Sequence, residues 1–173
     1  YLGQELNHRV GNSRVLNAEY FQRIDALDFA MDHDDGQQAL QLRRADVILV
    51  GVSRTSKTPT CVYLAHRGVK AANVPLVPNV PPPQELFESK HALIVGLTIS
   101  ADRLIHVRRN RLVSMKETRV GDYTEQEAVR AEVMAAQKLF EREGWPVIDV
   151  SRRSVEETAA SVLNLLAERR SAP

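Results

Sequence analysis

The most restrictive feature of this sequence is a wholly apolar run, Val47–Val50, followed at once by Gly51 and a stretch of small polar residues. A strand that is apolar at every position is typical of a parallel sheet covered on both faces, because it offers no side to water. Further strands, each separated from the next by a helical pattern, are predicted at Asn73–Val77, Ala92–Ile99 and Val147–Val150. This alternation indicates an α/β fold with a mainly parallel central sheet and helices on both faces.

Local signals predict where the helices begin and end. The first helix is expected to start after Asn17, a good N-cap residue, and to end at Asp34-Asp35-Gly36. Its apolar side chains recur at helical spacing and are expected to face the core; they are Tyr20, Ile24, Leu27 and Met31. Other helices are predicted at Thr60–Arg67, at Ser100–Arg109, from Thr124 to about Glu143, and from Ser154 onward. Thr124 and Ser154 each open a capping box with a glutamate three residues later.

The segment Gly51–Thr58, GVSRTSKT, is close to the phosphate-binding pattern G-x-x-x-x-G-K-[ST], with Ser56 in the place of the second glycine. We call it the 51–58 loop. A phosphate loop needs a buried strand before it, a helix after it and backbone N–H groups that point at the anion. Since a Cβ opposes the left-handed backbone that glycine permits, Ser56 predicts a somewhat altered loop geometry. The candidate phosphate-binding residues are Gly51, Val52, Ser53, Arg54, Thr55, Ser56, Lys57 and Thr58.

The alternative is a plain strand–turn–helix connection without a ligand. Lys57 argues against it, because a positive charge near a helix N-terminus opposes the helix dipole unless an anion is present. In a phosphate loop, Lys57 would reach the terminal phosphates, the Thr58 hydroxyl would bind magnesium, and Arg54 would be a further phosphate contact.

Two sets of charged residues have open interpretations. Asp34 and Asp35 are either a turn that stops a helix or carboxylates that orient or deprotonate an attacking hydroxyl. A dense basic cluster is either a solvated helix face or a clamp for phosphates; it comprises Arg103, Arg108, Arg109 and Arg111. The histidines show no metal-ligand spacing, and Cys61 is expected to be a small packed residue.

Composition limits the class of protein. The 173 residues suffice for one domain with a sizeable core, and the net charge of +1 gives no global sign of binding to nucleic acid or to acidic membranes. A single cysteine excludes an internal disulfide and a cysteine zinc site, which fits a reducing cytoplasm. No apolar run approaches a membrane span.

The motifs together resemble the regulatory proteins of pyruvate, phosphate dikinase and phosphoenolpyruvate synthase. The matching segments are FAMDHDDG (29–36), GVSRTSKTPT (51–60), IVGLTISADRLIHVRRNRL (94–112) and VIDVSRRSVEETA (147–159). In that family both Ser and Gly occur at the position of Ser56. The resemblance therefore favours a true, atypical phosphate loop.

The resemblance implies a bifunctional serine/threonine kinase and pyrophosphorylase. Such an enzyme uses ADP to phosphorylate a threonine of its target, and inorganic phosphate to remove that phosphoryl group as pyrophosphate. The 51–58 loop would bind the ADP. The loop variant and Pro81–Pro83 favour the dikinase as target over the synthase. A non-catalytic nucleotide-sensing adaptor remains the alternative of a different class.

The resemblance also bears on chain organisation. We expect a single nucleotide-binding domain over residues 1–173, with Tyr1–Arg44 as a helical extension, and without the N-terminal region that family members carry. The sequence leaves open whether the chain forms a homodimer.

Overall fold

A parallel sheet of four strands forms the centre of the chain in the computed structural model, which describes residues 9–34, 39–116, 121 and 123–173. The strands are β1 Val47–Val52, β2 Ala71–Leu76, β3 Leu93–Thr98 and β4 Val147–Asp149. Their order across the sheet is β2-β1-β3-β4, and every pairing is parallel. The predicted α/β fold with a parallel sheet is confirmed.

Helices cover the sheet. They are α1 Arg9–Asp32, α2 Lys57–His66, α3 Gln84–Glu88, α4 Ala101–Ser114, α5 Gln126–Glu143 and α6 Val155–Ser171, together with a 3₁₀ helix at Ala39–Arg44. Helix α2 packs against α1 and α6, and α4 packs against α5. Strand β1 contacts α2 of the first group and α5 of the second. All six residues of β1 are buried, as expected for a strand covered on both faces. No helix in the described part of the chain is long and apolar enough to cross a lipid bilayer.

The strand order determines where a ligand site can form. The chain passes from β1 to β2 on one side of β1 and then returns to β3 on its other side. In open α/β sheets, ligands bind at the carboxyl ends of the strands where the order switches in this way. Val52 ends β1 at that point, so the residues that follow it occupy the favoured position for a site.

The buried face of α1 differs from the prediction. The large side chains of Tyr20, Ile24 and Met31 are exposed, whereas Ala26, Phe29 and Ala30 are buried. This helix packs against α2 and β2, and the two small alanine side chains allow the close approach that the contact needs. The helix also begins well before Asn17, so this residue lies inside the helix rather than at its N-cap.

Two further local predictions are wrong. Helix α5 begins at Gln126 with Glu125 at the N-cap position and without a side-chain cap bond, so Thr124 forms no capping box. Strand β4 is an edge strand in which Ile148 alone is buried, because only β3 pairs with it. The prediction of Val147–Val150 as a buried strand is therefore wrong: the run contains Asp149, and at the edge of the sheet Val147 and Asp149 are exposed.

The capping box at Ser154 is confirmed and gives a stability prediction. Ser154 Oγ accepts from Glu157 N at 3.1 Å, and Glu157 Oε2 accepts from Ser154 N at 2.9 Å. Replacing Ser154 with Ala should lower the free energy of unfolding by about 1 kcal/mol, measured by urea denaturation, because Glu157 N loses its acceptor, whereas the backbone N of residue 154 keeps Glu157 Oε2. The control Asn164→Ala, at an exposed position within α6, should cause no loss. Equal stability of both variants would contradict the prediction.

Candidate functional site

The 51–58 loop joins the end of β1 to the first residue of α2. Arg54 and Ser56 both have a left-handed backbone, with φ of 68° and 61°. Such a conformation costs about 1–2 kcal/mol for a residue that carries a Cβ. Ser56 therefore adopts the left-handed backbone that glycine would permit. Its carbonyl accepts from Thr60 N at 3.2 Å and from Thr60 Oγ1 at 2.6 Å, which fixes the loop to the first turn of α2.

The ammonium group of Lys57 lies within the curl of this loop. Lys57 is only 5% exposed, and its Nζ donates to Val52 O at 2.7 Å and to Thr55 Oγ1 at 3.3 Å. Thr55 Oγ1 in turn donates to Val52 O at 3.0 Å. The Lys57 ammonium group thus links Val52 at the start of the loop to Thr55 in its middle. A buried cation at a helix N-terminus is a favourable place for an anion.

A second polar group lies at the side of the loop. Asp34 Oδ1 accepts from Thr58 Oγ1 at 2.7 Å and from Asn73 Nδ2 at 2.8 Å, and Asn73 Nδ2 lies 3.0 Å from Thr58 Oγ1. The three residues come from the end of α1, the start of α2 and the middle of β2. Asp34 is therefore more than a helix stop. Asp35 lies outside the described residues.

Asp34 and Thr58 provide the donor chemistry that magnesium needs. Carboxylate and hydroxyl oxygens are hard ligands, and Mg²⁺ in proteins is commonly held by one or two carboxylates together with substrate phosphates. Within the part of the chain that the structure describes, no group of three or more acidic, histidine or cysteine side chains could hold a metal by itself. The two residues thus fit an ion that is shared with a phosphate ligand.

The basic cluster of α4 divides into two kinds of residue. Arg103, Arg109 and Arg111 are exposed, whereas Arg108 is buried on the same face as Leu104 and Ile105. Arg108 forms a two-bond ion pair with Glu132 of α5, with both nitrogen–oxygen distances at 2.7 Å. Its Nη2 also donates to Ser53 Oγ in the 51–58 loop at 3.1 Å. The four arginines therefore do not form one continuous basic surface.

A groove of about 920 Å³ opens beside the first residues of the loop. One wall is the proline-rich segment after β2, and the other is a row of small side chains on α5. Val52, Ser53, Arg108 and Glu132 lie at its polar end. Its volume is in the range of small-molecule and peptide sites.

Two buried residues near the loop complete the site. Cys61 is 2% exposed, as predicted for a packed residue, and burial raises the pKa of its thiol above the ordinary value. His33 is 1% exposed and stacks on Phe29. Its Nδ1 donates to Phe29 O at 2.8 Å, since a carbonyl can only accept. The backbone carbonyl of His33 accepts from Asn73 N, which ties α1 to β2 beside Asp34.

The sequence analysis assigned no individual role to Asn73, Glu132 or Arg108. A signal existed for two of them. Asn73 is the one polar residue in the strand AANVPL, and Arg108 follows Leu104 by four residues on the apolar side of α4. Polar side chains on buried faces require partners, so both positions indicated an internal hydrogen-bond network.

The strand order, the loop after β1 and the helix behind it define a doubly wound α/β protein with a candidate anion site at the carboxyl edge of its sheet. A sequence profile described as kinase/pyrophosphorylase matches residues 1–163. The chain belongs to the kinase/pyrophosphorylase family, which confirms the resemblance seen in the sequence.

Similar proteins occur in several bacteria. A protein of Caulobacter vibrioides is 66% identical over 96% of this chain and 53% of its own length. Proteins of Hyphomonas neptunium and Maricaulis maris are 55% and 54% identical, each over 98% of this chain and 61% of their own length. All three carry the provisional name pyruvate, phosphate dikinase regulatory protein. The chain therefore spans about half to three fifths of the length of these relatives.

Proposed function

We propose that this protein regulates pyruvate, phosphate dikinase by reversible phosphorylation of a threonine. ADP is the phosphoryl donor in the inactivating direction, and inorganic phosphate removes the group as pyrophosphate in the activating direction. The observation that carries the proposal is a buried Lys57 inside a left-handed loop at a helix N-terminus, in a chain of the kinase/pyrophosphorylase family. The names of the relatives support the dikinase as the target.

The 51–58 loop is the proposed site for the diphosphate of ADP. Its backbone amides and the N-terminus of α2 favour negative charge. Lys57, whose ammonium lies beside Val52 O, would contact the terminal phosphoryl group near the start of the loop. Arg54 is exposed on the same loop and is proposed as a further phosphate contact.

Thr58 and Asp34 would hold a magnesium ion together with the phosphates. Such an ion neutralises charge on the phosphoryl group during transfer. Asn73 holds the Asp34 carboxylate from the side of the sheet, so the carboxylate is fixed before any ligand arrives. This arrangement gives Asp34 an orienting role, and Asp35 is proposed as the carboxylate that exchanges a proton with the threonine.

One site can perform both reactions. In the kinase direction the threonine oxygen bonds to the β-phosphorus of ADP, the bond from that phosphorus to the bridging oxygen breaks, and AMP leaves while a carboxylate takes the hydroxyl proton. In the other direction an oxygen of inorganic phosphate attacks the phosphorus of phosphothreonine. The threonine oxygen leaves and takes up a proton, and pyrophosphate forms. Both steps place the same negative charge beside Lys57.

The same observations are compatible with two alternative functions. The first is the same pair of reactions on phosphoenolpyruvate synthase, because the resemblance includes its regulators. The second is an adaptor in a reducing cytoplasm that binds a nucleotide without transferring it.

A single assay series tests the proposal. The full-length protein is mixed with ADP, magnesium and the dikinase, and phosphothreonine and AMP are measured by mass spectrometry. The expected result is one phosphothreonine per dikinase site with equimolar AMP, and release of pyrophosphate when inorganic phosphate replaces ADP. The synthase serves as the matched substrate. Nucleotide binding without any phosphothreonine on either enzyme would support the adaptor instead.

A further inference from the structure

Arg108 is the largest fully buried side chain of the described residues, and its position connects three parts of the fold. It projects from α4, and it reaches Glu132 on α5 and Ser53 at the start of the 51–58 loop. Its guanidinium group also lies over the ring of Tyr123, 4.5 Å from the ring centre. A cation buried in this way is kept only where its partners are well placed.

Every N–H of the two terminal nitrogens has a partner. Nη1 donates to Tyr123 O at 3.1 Å and to Glu132 Oε2 at 2.7 Å, and Nη2 donates to Ser53 Oγ at 3.1 Å and to Glu132 Oε1 at 2.7 Å. Each terminal nitrogen has two hydrogens, so these four bonds use them all. Arg108 therefore has no terminal N–H left for a phosphate, which argues against a clamp role for this one arginine.

The contact with Ser53 affects the position of the Lys57 ammonium group through the backbone. Ser53 follows Val52, whose carbonyl accepts from both Lys57 Nζ and Thr55 Oγ1. A shift of Ser53 would move that carbonyl and the ammonium group bonded to it. Glu132 neutralises the guanidinium group and fixes its plane through two charge-assisted hydrogen bonds. The guanidinium group is therefore a rigid donor to Ser53.

We propose that Arg108 is a positioning residue for phosphoryl transfer: held by Glu132, it anchors Ser53 and thereby sets the position of the Lys57 ammonium. The reaction in question is the one under Proposed function, and the inference rests on it. Lysine cannot replace arginine here, because one ammonium nitrogen cannot serve four acceptors in the plane of a guanidinium group.

The first test removes only the hydrogen bond between Arg108 and Ser53. Ser53→Ala deletes one hydroxyl and leaves the Arg108–Glu132 pair intact, so the variant should stay folded, with a melting temperature lower by only about 2–4 °C because one buried N–H loses its acceptor. We expect kcat for dikinase phosphorylation to fall about tenfold while KM for ADP changes less than about twofold, since the position of the phosphoryl group matters most in the transition state. An unchanged kcat in this folded variant would overturn the proposal.

The second test is a double-mutant cycle. Arg108→Lys should lower kcat by at least about tenfold, and adding Ser53→Ala to it should cause no further loss, because both changes break one connection. Arg130→Lys, an exposed position on α5, is the matched control and should retain the wild-type rate. If the two losses simply multiply in the double variant, Ser53 and Arg108 act independently and the proposal fails.

A readout without catalysis separates this inference from the proposed function. Amide hydrogen exchange at residues 53–58 should be about tenfold faster in Ser53→Ala and in Arg108→Lys than in Arg130→Lys. If the wild type phosphorylates neither target, the proposed function is wrong, and the exchange rates still decide whether Arg108 anchors the loop. Exchange equal to that of Arg130→Lys in both variants would overturn the anchoring role.

Discussion

Replacing Lys57 with Met should abolish both the ADP-dependent kinase reaction and the phosphate-dependent release of pyrophosphate. The ammonium group lies within the loop curl, and it is the cation that both transition states would share. Removal of one preorganised charge donor from a phosphoryl or acyl transfer site lowers kcat by about 10²–10³-fold. Methionine retains most of the side-chain volume, so the buried packing around this position should survive.

The measurements are the initial rates of both reactions and the affinity for ADP by isothermal titration. ADP affinity should weaken by about tenfold, which corresponds to the loss of one charge-assisted hydrogen bond. Lys138→Met, at an exposed position of α5, is the control and should leave rates and affinity unchanged. A Lys57→Met variant that loses kinase activity but keeps full pyrophosphate release would show that two separate sites exist.

Replacing Gly51 with Ala should destabilise the fold and the loop together. A Cβ at this position would lie 2.6 Å from Leu97 O on the neighbouring strand β3 and 3.1 Å from Thr55 Oγ1. Leu97 O is a backbone atom of a central strand and cannot rotate away as a flexible side chain would. We expect a loss of about 3 kcal/mol in the free energy of unfolding, the upper end of the cost of overpacking, and weaker ADP binding.

Chemical denaturation gives the stability change, and titration gives the binding change. Gly121→Ala is the matched control, because a Cβ at this position would meet no atom of the described residues within 4 Å, its chain neighbours aside. Its stability should equal that of the wild type. A Gly51→Ala protein as stable as Gly121→Ala would mean that β1 and β3 separate more easily than their pairing suggests.

The sequence by itself determined the centre of the sheet and the loop after it. The wholly apolar Val47–Val50 predicted a strand covered on both faces, and the residues that follow predicted a tight connection to a helix, although the structure begins that helix at Lys57 rather than at Thr60. The Ser154 capping box was equally local. These features depend on residues within a few positions of one another, so propensity and periodicity are sufficient to predict them.

Only the tertiary structure decided which polar residues meet around that loop. Asp34 bonds to Thr58 across 24 positions of sequence and to Asn73 across 39, and Arg108 bonds to Ser53 across 55. The spacing from Leu104 put Arg108 on the apolar side of α4, but only the packing of α4 on α5 brings its guanidinium group to Glu132. For the same reason the sequence did not predict that α1 buries Ala26 and Ala30 rather than its larger side chains: the face of a helix that is buried depends on how closely its neighbours must approach.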